Sequence, residues 1–408
     1  MNRRVVVGAA LVLMSLTLAG CAGSGSDSSR VLHWWVVPDR VDARSIAETC
    51  SSEGGYTIEL EQLPARIDQR RGEIVRQLAG GTDEIDILSL DTSLTAEMAA
   101  AGYLAAVPAE LEAELSSGAL PKALEAATYD DQVVAVPWWL DPQLLWYRGT
   151  AAERAGLDTT KPINWDDLLA GAERLGATLQ IDDPDGTGLS DWVRALLAGS
   201  GGTIVDGDGR DPKVGLETDA GRAAAGIVQF YANAGIGPGP SPDARVEFAG
   251  ARGGFLLASS AIITDPAISG VVPDMKSVPY PVLGTESVAP LSGVSLAVPE
   301  DARDPDLAYE AVTCLTSAES QQTMMMGSGH GATRSAVYEA EEVKSSVASA
   351  DVMLDAVTTG VNAPSTPYWQ RVRVALRDTW QPITGVSPST TPAESQRAVT
   401  DLVAGGLR

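Results

Sequence analysis

From Val31 onward the chain alternates short apolar runs with stretches in which apolar residues recur at helical spacing. The apolar runs predict strands at 31–37, 56–60 and 85–90, and the periodic stretches predict helices at 41–50, 67–78 and 94–101. This rhythm is typical of a mostly parallel sheet with helices on both faces. In such sheets ligands meet the carboxyl ends of the strands, which is where Asp39 and Asp91 fall.

A second unit with a similar rhythm begins near residue 133. The pattern predicts strands at 133–137, 144–148 and 293–298, a turn-rich hairpin at 201–209, and helices at 218–233 and 305–316. Asn164 is a good N-cap for one further helix, because two aspartates follow in the first turn, where the helix dipole favours them. From Ser335 the pattern is mainly helical, and the sequence contains no internal repeat.

The first twenty residues have the features of a secretory signal peptide. Two arginines precede an apolar stretch, 5–18, that is too short to span a bilayer comfortably. The stretch ends in Leu-Ala-Gly-Cys, which resembles the bacterial lipobox, so we expect cleavage before Cys21 and a lipid on its sulfur. Residues 21–30 would then be the lipidated cysteine and a flexible tether, which anchors the protein to the outer face of the cell membrane. An ordinary signal peptide with a chance cysteine is the alternative.

The net charge of the chain limits the classes of partner that it can bind. It has 408 residues, with 29 Lys and Arg against 54 Asp and Glu, and a formal net charge of -25. Nucleic acid is excluded as a partner, because phosphate binding needs a basic surface. Docking of the folded domain on anionic lipid is disfavoured for the same reason. The length fits two or three domains with substantial cores.

Motifs for catalysis, cofactors and metals are weak. The sequence has two His residues and lacks a phosphate-binding loop, a dinucleotide fingerprint, a paired C-x-x-C and an H-E-x-x-H motif, so we expect no enzyme activity and no cofactor. The small-residue segment 327–331 is expected to form a loop whose amides approach a ligand or another segment. The segment 182–188 resembles part of a calcium loop but lacks the distal glutamate, which favours a turn stabilised by its own Asp side chains.

With Cys21 lipidated, two cysteines remain, Cys50 and Cys314. Both fall in stretches predicted as amphipathic helices. An oxidising compartment favours a disulfide between them, and two buried free thiols are the alternative.

Aromatic residues carry the strongest sign of a ligand. Nine are Trp and three are Phe, and several stand as doublets beside turn residues, at 34–35, 138–139 and 368–369. Trp rings pack on the C–H faces of sugars while carboxylates and amides take the hydroxyl hydrogen bonds, as a cleft for a neutral polyhydroxylated ligand requires. The alternative is that these rings belong to the core, and on a strand about half of them should.

These features resemble the family 1 extracellular solute-binding proteins of ABC importers. Residues 146–148, 155–158 and 162–168 are similar to the family stretch YYN…AGLD…P-x-TWDEL, and 102–107 to its G-x-L-x-P-L segment. Within the family, the chain is most similar to the trehalose-binding lipoproteins of mycobacteria and their actinobacterial relatives. The matching segments are 87–91, 143–148, 311–315, 366–370 and 382–384. Cys50 and Cys314 also stand where those relatives have cysteines.

The resemblance implies an α/β fold of the type II periplasmic-binding-protein class, with two hinged lobes that close on a disaccharide. The expected lobes are 31–133 with 268–318 and 134–267 with 319–408. It also implies a monomer that hands its sugar to permease subunits. Asp91 and Asp141 are expected as hydroxyl acceptors, although Asp141 stands where Asn was expected and Asp265 where Trp was expected. The remaining expected site residues are the stacking candidates Trp35, Trp138, Trp139 and Trp369, the backbone-contact candidates Gly293 and Gly329, the donor Arg334, and Asp39.

Two other functions stay open at the level of sequence. The same fold could bind a polyamine, a glycerophosphodiester or a peptide, and the acidic balance is compatible with a cationic ligand. A secreted glycosidase would share the aromatics and the acids, but no spacing in the sequence singles out an acid/base pair.

Overall fold

The computed structural model describes residues 30–38, 43–207 and 209–406. The predicted signal peptide, Cys21 with most of its tether, and Asp39 lie outside these residues. Within the described ranges, no helix combines the length and the apolar composition that a membrane crossing requires.

Thirteen short and long strands form the sheets of the described chain. They are β1 (Val31–Val36), β2 (Thr57–Gln62), β3 (Ile87–Asp91), β4 (Thr128–Tyr129), β5 (Gln132–Val133), β6 (Val136–Arg148), β7 (Thr178–Asp182), β8 (Val205–Asp206), β9 (Lys213–Val214), β10 (Pro240–Ser241), β11 (Gly253–Ser259), β12 (Met275–Val278) and β13 (Leu291–Ala297).

Seventeen α-helices, counted over the described residues, surround these sheets. They are α1 (Ala43–Gly54), α2 (Ile67–Ala79), α3 (Thr95–Ala100), α4 (Ala109–Gly118), α5 (Pro121–Ala126), α6 (Gly149–Ala155), α7 (Trp165–Leu175), α8 (Gly188–Gly199), α9 (Asp219–Ala234), α10 (Ala244–Ala249), α11 (Pro305–Leu315), α12 (Ala318–Ser328), α13 (Ser335–Glu339), α14 (Glu341–Ser346), α15 (Ala350–Thr359), α16 (Trp369–Trp380) and α17 (Thr391–Ala404). Four 3-10 turns lie at Ser260–Thr264, Pro266–Ile268, Val272–Asp274 and Ile383–Gly385.

One nine-stranded sheet runs through the whole molecule. Its order is β10-β7-β11-β6-β13-β3-β1-β2, with β12 also paired to β6. The outer strands pair in parallel, as predicted, but β6 pairs antiparallel with β11, β12 and β13. The expectation of a mostly parallel sheet is therefore corrected to a mixed sheet, because the two parallel halves are joined through antiparallel strands in the middle.

Strand β6 corrects a second expectation. The sequence predicts two strands, 133–137 and 144–148, separated by a break at the prolines. The structure instead has one strand from Val136 to Arg148. Pro137 is tolerated because it lies at a register shift against β13, and Pro142 pairs with Leu291 at the start of β13.

The helix N-cap that the sequence predicts at Asn164 is confirmed. The side chain of Asn164 accepts a hydrogen bond from the backbone N–H of Asp167 at 2.7 Å and starts α7 as its N-cap. The predicted hairpin near 201–209 is present as β8 and β9, with strands a few residues later than expected.

Two hydrophobic cores lie on either side of the middle of the sheet. The first core takes buried residues from 32–139 and 294–324, and the second takes Leu120, Ala123, 140–291 and 325–399. We call the elements that pack on them the first and second lobes. The chain changes core between Trp139 and Leu140 within β6 and between Leu291 and Val294 within β13.

These crossings differ from the predicted lobe boundaries. The boundaries expected at 133/134 and 318/319 come about six residues before the changes of core at 139/140 and 324/325, and the third boundary differs more. Residues 268–290 were expected in the first lobe, but Ile268 and Val278 belong to the second core. The reason is β12, which pairs with the second half of β6 and holds this segment against the second core.

A disulfide joins Cys50 on α1 to Cys314 on α11, which confirms the predicted pairing over two free thiols. The two helices pack side by side in the first lobe although their cysteines are 264 positions apart.

Candidate functional site

A cleft opens between the lobes, at the level where β6 and β13 cross from one core to the other. Its main cavity has a volume of about 350 Å³ and is lined from both lobes, with Asp91 at the end of β3 and Asp185 after β7 facing it. A smaller cavity of about 110 Å³ continues it toward Trp369 and Arg373 on α16. Both cavities share Asp91, Asp185 and Gly293, so they form one cleft.

Position 293 has room only for a glycine. A Cβ built on it would lie 2.3 Å from the carbonyl oxygen of Trp139, so no larger residue allows β13 to approach β6 this closely. Its own carbonyl accepts the backbone N–H of Thr92 at 3.0 Å. The glycine thereby fixes the distance between the ends of β3 and β13 at the cleft floor.

Asp91 and Arg70 form the charged pair of the first lobe. Arg70 sits on the buried face of α2, between Ile67 and Ile74, and its Nη2 donates to the carbonyl of Ala65 at 2.9 Å. Its Nε lies 3.2 Å from Oδ2 of Asp91. The direction is poor for a hydrogen bond, so neither atom has a hydrogen-bond partner among the described residues. Burial raises the pKa of Asp91, and the Arg70 charge offsets part of that rise.

Asp141 lies buried in the middle of β6 and fastens three segments at the cleft floor. Its Oδ2 is 2.6 Å from Nδ1 of His330 and 3.1 Å from the hydroxyl of Ser259, which donates to it. Its Oδ1 accepts the backbone N–H of Gly331 at 2.8 Å. The 327–331 loop therefore does turn an amide toward another segment, as the sequence indicates, and the acceptor is Asp141.

Trp139 forms the aromatic wall beside this cluster. Its ring stacks on the ring of His330, with centroids 4.6 Å apart and planes inclined by 27°. Gly331 allows the loop to come close, because a Cβ there would lie 2.4 Å from the carbonyl oxygen of Leu140. The wall is rigid, since both rings are almost fully buried.

Arg245 on α10 carries the charge of the second lobe at the main cavity. It donates to Oδ2 of Asp182 at 2.6 Å from Nη2 and 2.9 Å from Nε, and to Oδ2 of Asp265 at 2.6 Å from Nη1. Burial raises the pKa of Asp182 in spite of the Arg245 charge. The second oxygen of Asp182, Oδ1, has no hydrogen-bond partner among the described residues.

The far end of the cleft holds two more arginines. Nη2 of Arg194 donates to Oδ1 of Asp191 at 3.1 Å and to the carbonyl of Leu291 at 3.0 Å. Burial raises the pKa of Asp191 and lowers that of Arg194, because both charges lie away from water. Nη2 of Arg373 donates to the carbonyl of Gly186 at 2.6 Å.

The loop after β7 does not gather its carboxylates around a common point. Asp182 pairs with Arg245, while Oδ1 of Asp183 accepts the N–H of Gly188 at 2.9 Å and Oδ1 of Asp185 accepts that of Thr187 at 3.1 Å. Among the residues with described positions, no cluster of three or more acidic, His or Cys side chains has the arrangement of a metal site. The loop is the Asp-stabilised turn that the sequence favours.

The lobes are joined across the mouth of the cleft. Nε2 of Gln370 on α16 donates to the carbonyl of Ser93 at 2.9 Å, and its Oε1 accepts from Nη1 of Arg373 at 2.6 Å. Nη2 of Arg210 donates to the carbonyl of Ala100 at 2.6 Å. These bonds hold the first and second lobes together around the cavity.

The expected site residues divide into two groups. Asp91, Asp141, Trp139, Trp369 and Gly293 line the cleft. Asp265 lies one layer behind it, where it holds Arg245.

The remaining expected site residues lie elsewhere. Trp138 is fully buried and packs edge-on against Trp34 in the first core, at 4.9 Å between centroids. Trp35 points to the other face of β1 and packs against the first core. Gly329 borders a different cavity near Met325, and Arg334 pairs with Glu114. Asp39 lies outside the described residues.

Sequence reasoning missed the cationic half of the cleft. Arg70 did leave a signal, because a charged residue interrupts the apolar face of α2. His330 was noticed as one of two histidines and as part of the 327–331 segment, but its pairing with Asp141 was not predicted. Arg245 left no signal, because α10 is short and its place beside β7 depends on the folded sheet.

Comparison with known proteins shows that the sequence of this chain is similar to those of binding proteins. The family model described as bacterial extracellular solute-binding protein matches residues 45–351. A protein of Deinococcus radiodurans named "Probable ABC transporter-binding protein" is 22% identical over 341 residues, covering 78% of this chain and 79% of that protein.

Solved structures agree with the fold. Maltose-bound MalE3 of T. maritima has a TM-score of 0.79 at 20% identity and covers 91% of this chain and 99% of its own. The GacH receptor of Streptomyces glaucescens, solved unliganded and with acarbose, also has a TM-score of 0.79 at 20% identity, over 92% of this chain and 98% of its own. These likenesses confirm the predicted two-lobed fold of the type II periplasmic-binding-protein class.

Proposed function

Because the chain belongs to the bacterial extracellular solute-binding protein family, we propose that its cleft captures a neutral disaccharide, trehalose or a related α-glucoside. Proteins of this family and the structural neighbours are substrate-binding proteins of ABC transporters and not enzymes, as the sequence predicts for this chain. The captured sugar would be delivered to the permease subunits of an ABC importer.

The observation that carries the proposal is a set of buried polar atoms that face the cleft without a hydrogen-bond partner among the described residues. They include two donors and three acceptors: Arg70 Nε, Arg194 Nε, Asp91 Oδ2, Gln143 Oε1 and Asp182 Oδ1. Buried polar atoms left unpaired each cost about 1–3 kcal/mol. A sugar hydroxyl both donates and accepts, so a polyol can satisfy the two kinds of atom together.

The charge of the cleft supports a neutral ligand. Four arginines face five aspartates along its walls, namely Arg70, Arg194, Arg245 and Arg373 with Asp91, Asp141, Asp182, Asp185 and Asp191. Most of them are paired with one another, so neither sign dominates. A cationic or anionic ligand would have to break these pairs, whereas hydroxyls can bond to their remaining atoms.

The size of the cavity and its aromatic walls fit a small saccharide. The main cavity, at about 350 Å³, falls within the roughly 300–1,000 Å³ typical of small-molecule sites. Trp139 lines the main cavity, and Trp369 lines the smaller cavity that continues it. The finer choice of trehalose rests on the similarity to the trehalose-binding lipoproteins, with Asp141 and Asp265 as the positions that differ from them.

The anchor and the oligomeric state belong to the same proposal. A lipid on Cys21 would keep the protein on the outer face of the membrane, beside its permease, and a single chain already contains both walls of the cleft. Labelling cells with a radioactive fatty acid, in parallel with a Cys21→Ser variant, tests the anchor.

Isothermal titration of the domain from Arg30 tests the function. The panel is trehalose, maltose, maltotriose, sucrose, glucose, spermidine and glycerophosphocholine. We expect saturable binding of trehalose or another α-glucoside that is weakened in an Asp91→Asn variant. Binding of spermidine or glycerophosphocholine that Asp91→Asn abolishes, without binding of any sugar, would replace the proposal by a non-sugar importer.

A further inference from the structure

A second cavity lies apart from the sugar cleft and is larger, about 640 Å³. We call it the side cavity. Helix α5, the turn between β4 and β5, the segment 202–207 and the segment 361–365 enclose it. It meets the cleft only through Arg194 and Ala363, which line both. Its walls are largely apolar, formed by Pro121, Leu124, Ala198, Ile204, Val205, Val361 and Pro364.

Asn362 places an unsatisfied acceptor in this cavity. The side chain is 7% exposed, and its Nδ2 donates to the carbonyl of Lys122 at 2.8 Å and to Oε1 of Glu125 at 3.0 Å. Two acceptors on one side fix the amide so that the nitrogen faces them. Its Oδ1 therefore faces away, and it has no hydrogen-bond partner among the described residues. Oδ1 of Asn362 thus needs a donor, whereas the other unpaired buried atom on a lining residue, Nε of Arg194, belongs to a side chain that the cavity shares with the cleft.

The rim adds negative charge. Asp130, Asp131 and Asp206 line the cavity at exposed positions, and no described Lys or Arg forms an ion pair with any of them. Asp130 and Asp131 have φ of 53° and 60°, a left-handed conformation that is unfavourable for two consecutive residues with side chains. Glycine or asparagine is usual in such a hairpin turn. The chain thus holds two carboxylates over the cavity at a conformational cost.

One class of ligand fits the three features of this cavity together. These features are the acceptor at the floor, the carboxylates at the rim and the apolar walls between them. We propose that the side cavity binds a small organic ammonium with an aliphatic stem, such as a short diamine. One ammonium group would donate to Oδ1 of Asn362, the stem would pack on the apolar walls, and the charge would be neutralised by the rim carboxylates. This site shares only Arg194 and Ala363 with the cleft, and it does not rest on the proposed function.

Isothermal titration with 1,4-diaminobutane tests the proposal on the domain from Arg30, with 1,4-butanediol as the uncharged probe of the same stem. The test variant is Asp130→Asn with Asp131→Asn, because Asn adopts the left-handed conformation readily and the turn should be kept. The charge-matched control is Asp355→Asn with Asp378→Asn, two exposed helix positions away from the cavity. A third protein, Asp91→Asn, alters the sugar cleft alone.

We expect the diamine to bind and the diol to bind at least about tenfold more weakly, a difference of about 1.4 kcal/mol. The rim variant should lose at least about tenfold in diamine affinity, while the control and Asp91→Asn keep it within about twofold. Asn362→Leu, which removes the acceptor, should weaken the diamine as well. No diamine binding to the native protein, or binding that is lost in Asp91→Asn and kept in the rim variant, overturns the proposal. Neither result bears on sugar binding.

Discussion

Nδ1 of His330 lies 2.6 Å from Oδ2 of Asp141, although the two residues are 189 positions apart in the chain. Asp141 belongs to β6, just after the chain passes from the first core to the second between Trp139 and Leu140, and His330 follows α12, in which the chain makes the same passage between Met324 and Met325. The pair therefore joins, at the floor of the cleft, the two segments in which the chain enters the second core. A carboxylate in this place can hold the imidazole, the Ser259 hydroxyl and the Gly331 amide at once.

Asp141→Ala should weaken sugar binding and also destabilise the protein. The substitution leaves the N–H of Gly331 and the ring of His330 without their acceptor, which costs about 1–3 kcal/mol for each buried group. We expect the sugar Kd from titration calorimetry to rise at least about tenfold and the melting temperature to fall. Asp141→Asn keeps one acceptor oxygen and should lie between the native protein and the alanine variant. Equal stability of all three proteins would show that the cluster does not hold the cleft floor.

Asp91→Asn should separate binding from stability. Asp91 faces the cleft with one oxygen unpaired, so replacing that oxygen by an amide nitrogen removes an acceptor for the sugar. We expect the Kd to rise about 10- to 100-fold, or about 1.4–2.7 kcal/mol, with little loss of melting temperature. The exposed control Asp378→Asn should bind normally. An unchanged Kd in Asp91→Asn would remove Asp91 from the site.

The pH dependence of stability should report the same carboxyl group. Burial raises the pKa of Asp91 above its ordinary value of 3.8, so the folded state favours the protonated form. Its contribution is complete below pH 3.8 and is lost as the pH rises through the raised pKa. In urea denaturation without ligand, the free energy of unfolding of the native protein minus that of Asp91→Asn should therefore fall as the pH increases above about 3.8. Two parallel curves would contradict the assignment.

The fold was more accessible from sequence than the site. Apolar runs predicted β1, β2 and β3 to within about two residues, because β1 and β3 are buried between neighbouring strands and the edge strand β2 still alternates half-buried with exposed positions over most of its length. The same reasoning failed for β6, where Pro137 and Pro142 indicate breaks. Both prolines are accommodated by pairing with β13, which is about 150 positions away, and nothing in the local sequence indicates that pairing.

The residues of the site were likewise predicted only in part. Asp91 was found because it ends a predicted strand, where ligands are expected in such sheets, and Asp141 because it matches a position of the family that the chain resembles. Arg245 could not be found, since its partners Asp182 and Asp265 come from other elements. The aromatic signal was half right. Trp139 lines the cleft, while Trp138, whose ring centroid lies 4.3 Å from that of Trp139, is fully buried in the first core. Strand alternation could not predict this arrangement, because the pairing of β6 with β13 shifts register between Pro137 and Trp139.

The disulfide should stabilise the first lobe without affecting the ligand. Cys50 and Cys314 join α1 and α11 across 264 positions, and the bond restricts the unfolded chain. Cys50→Ala with Cys314→Ala should lower the free energy of unfolding by about 2–5 kcal/mol in urea denaturation. The Kd for sugar at 25 °C should stay within about twofold, since neither cysteine lines the cleft. If a reducing agent leaves the urea midpoint of the native protein unchanged, the bond contributes nothing in solution.

Gln370 connects the ligand cleft to the contact between the lobes, and its loss should shift the protein toward an open form. Its Oε1 accepts from Arg373, which lines the cleft, and its Nε2 donates to the carbonyl of Ser93 in the first lobe. Gln370→Ala removes both bonds and touches no other wall of the main cavity. A ligand that closes the lobes must then supply the missing energy, so its apparent affinity falls in proportion to the closed fraction. We expect a Kd about 5- to 20-fold higher, mainly through faster dissociation in stopped-flow fluorescence. We also expect a larger radius of gyration in small-angle scattering without sugar.

The matched control is Gln381→Ala, a Gln just past the end of the same helix and exposed to solvent. A Kd and a radius of gyration equal to those of the native protein would show that Gln370 does not hold the lobes closed.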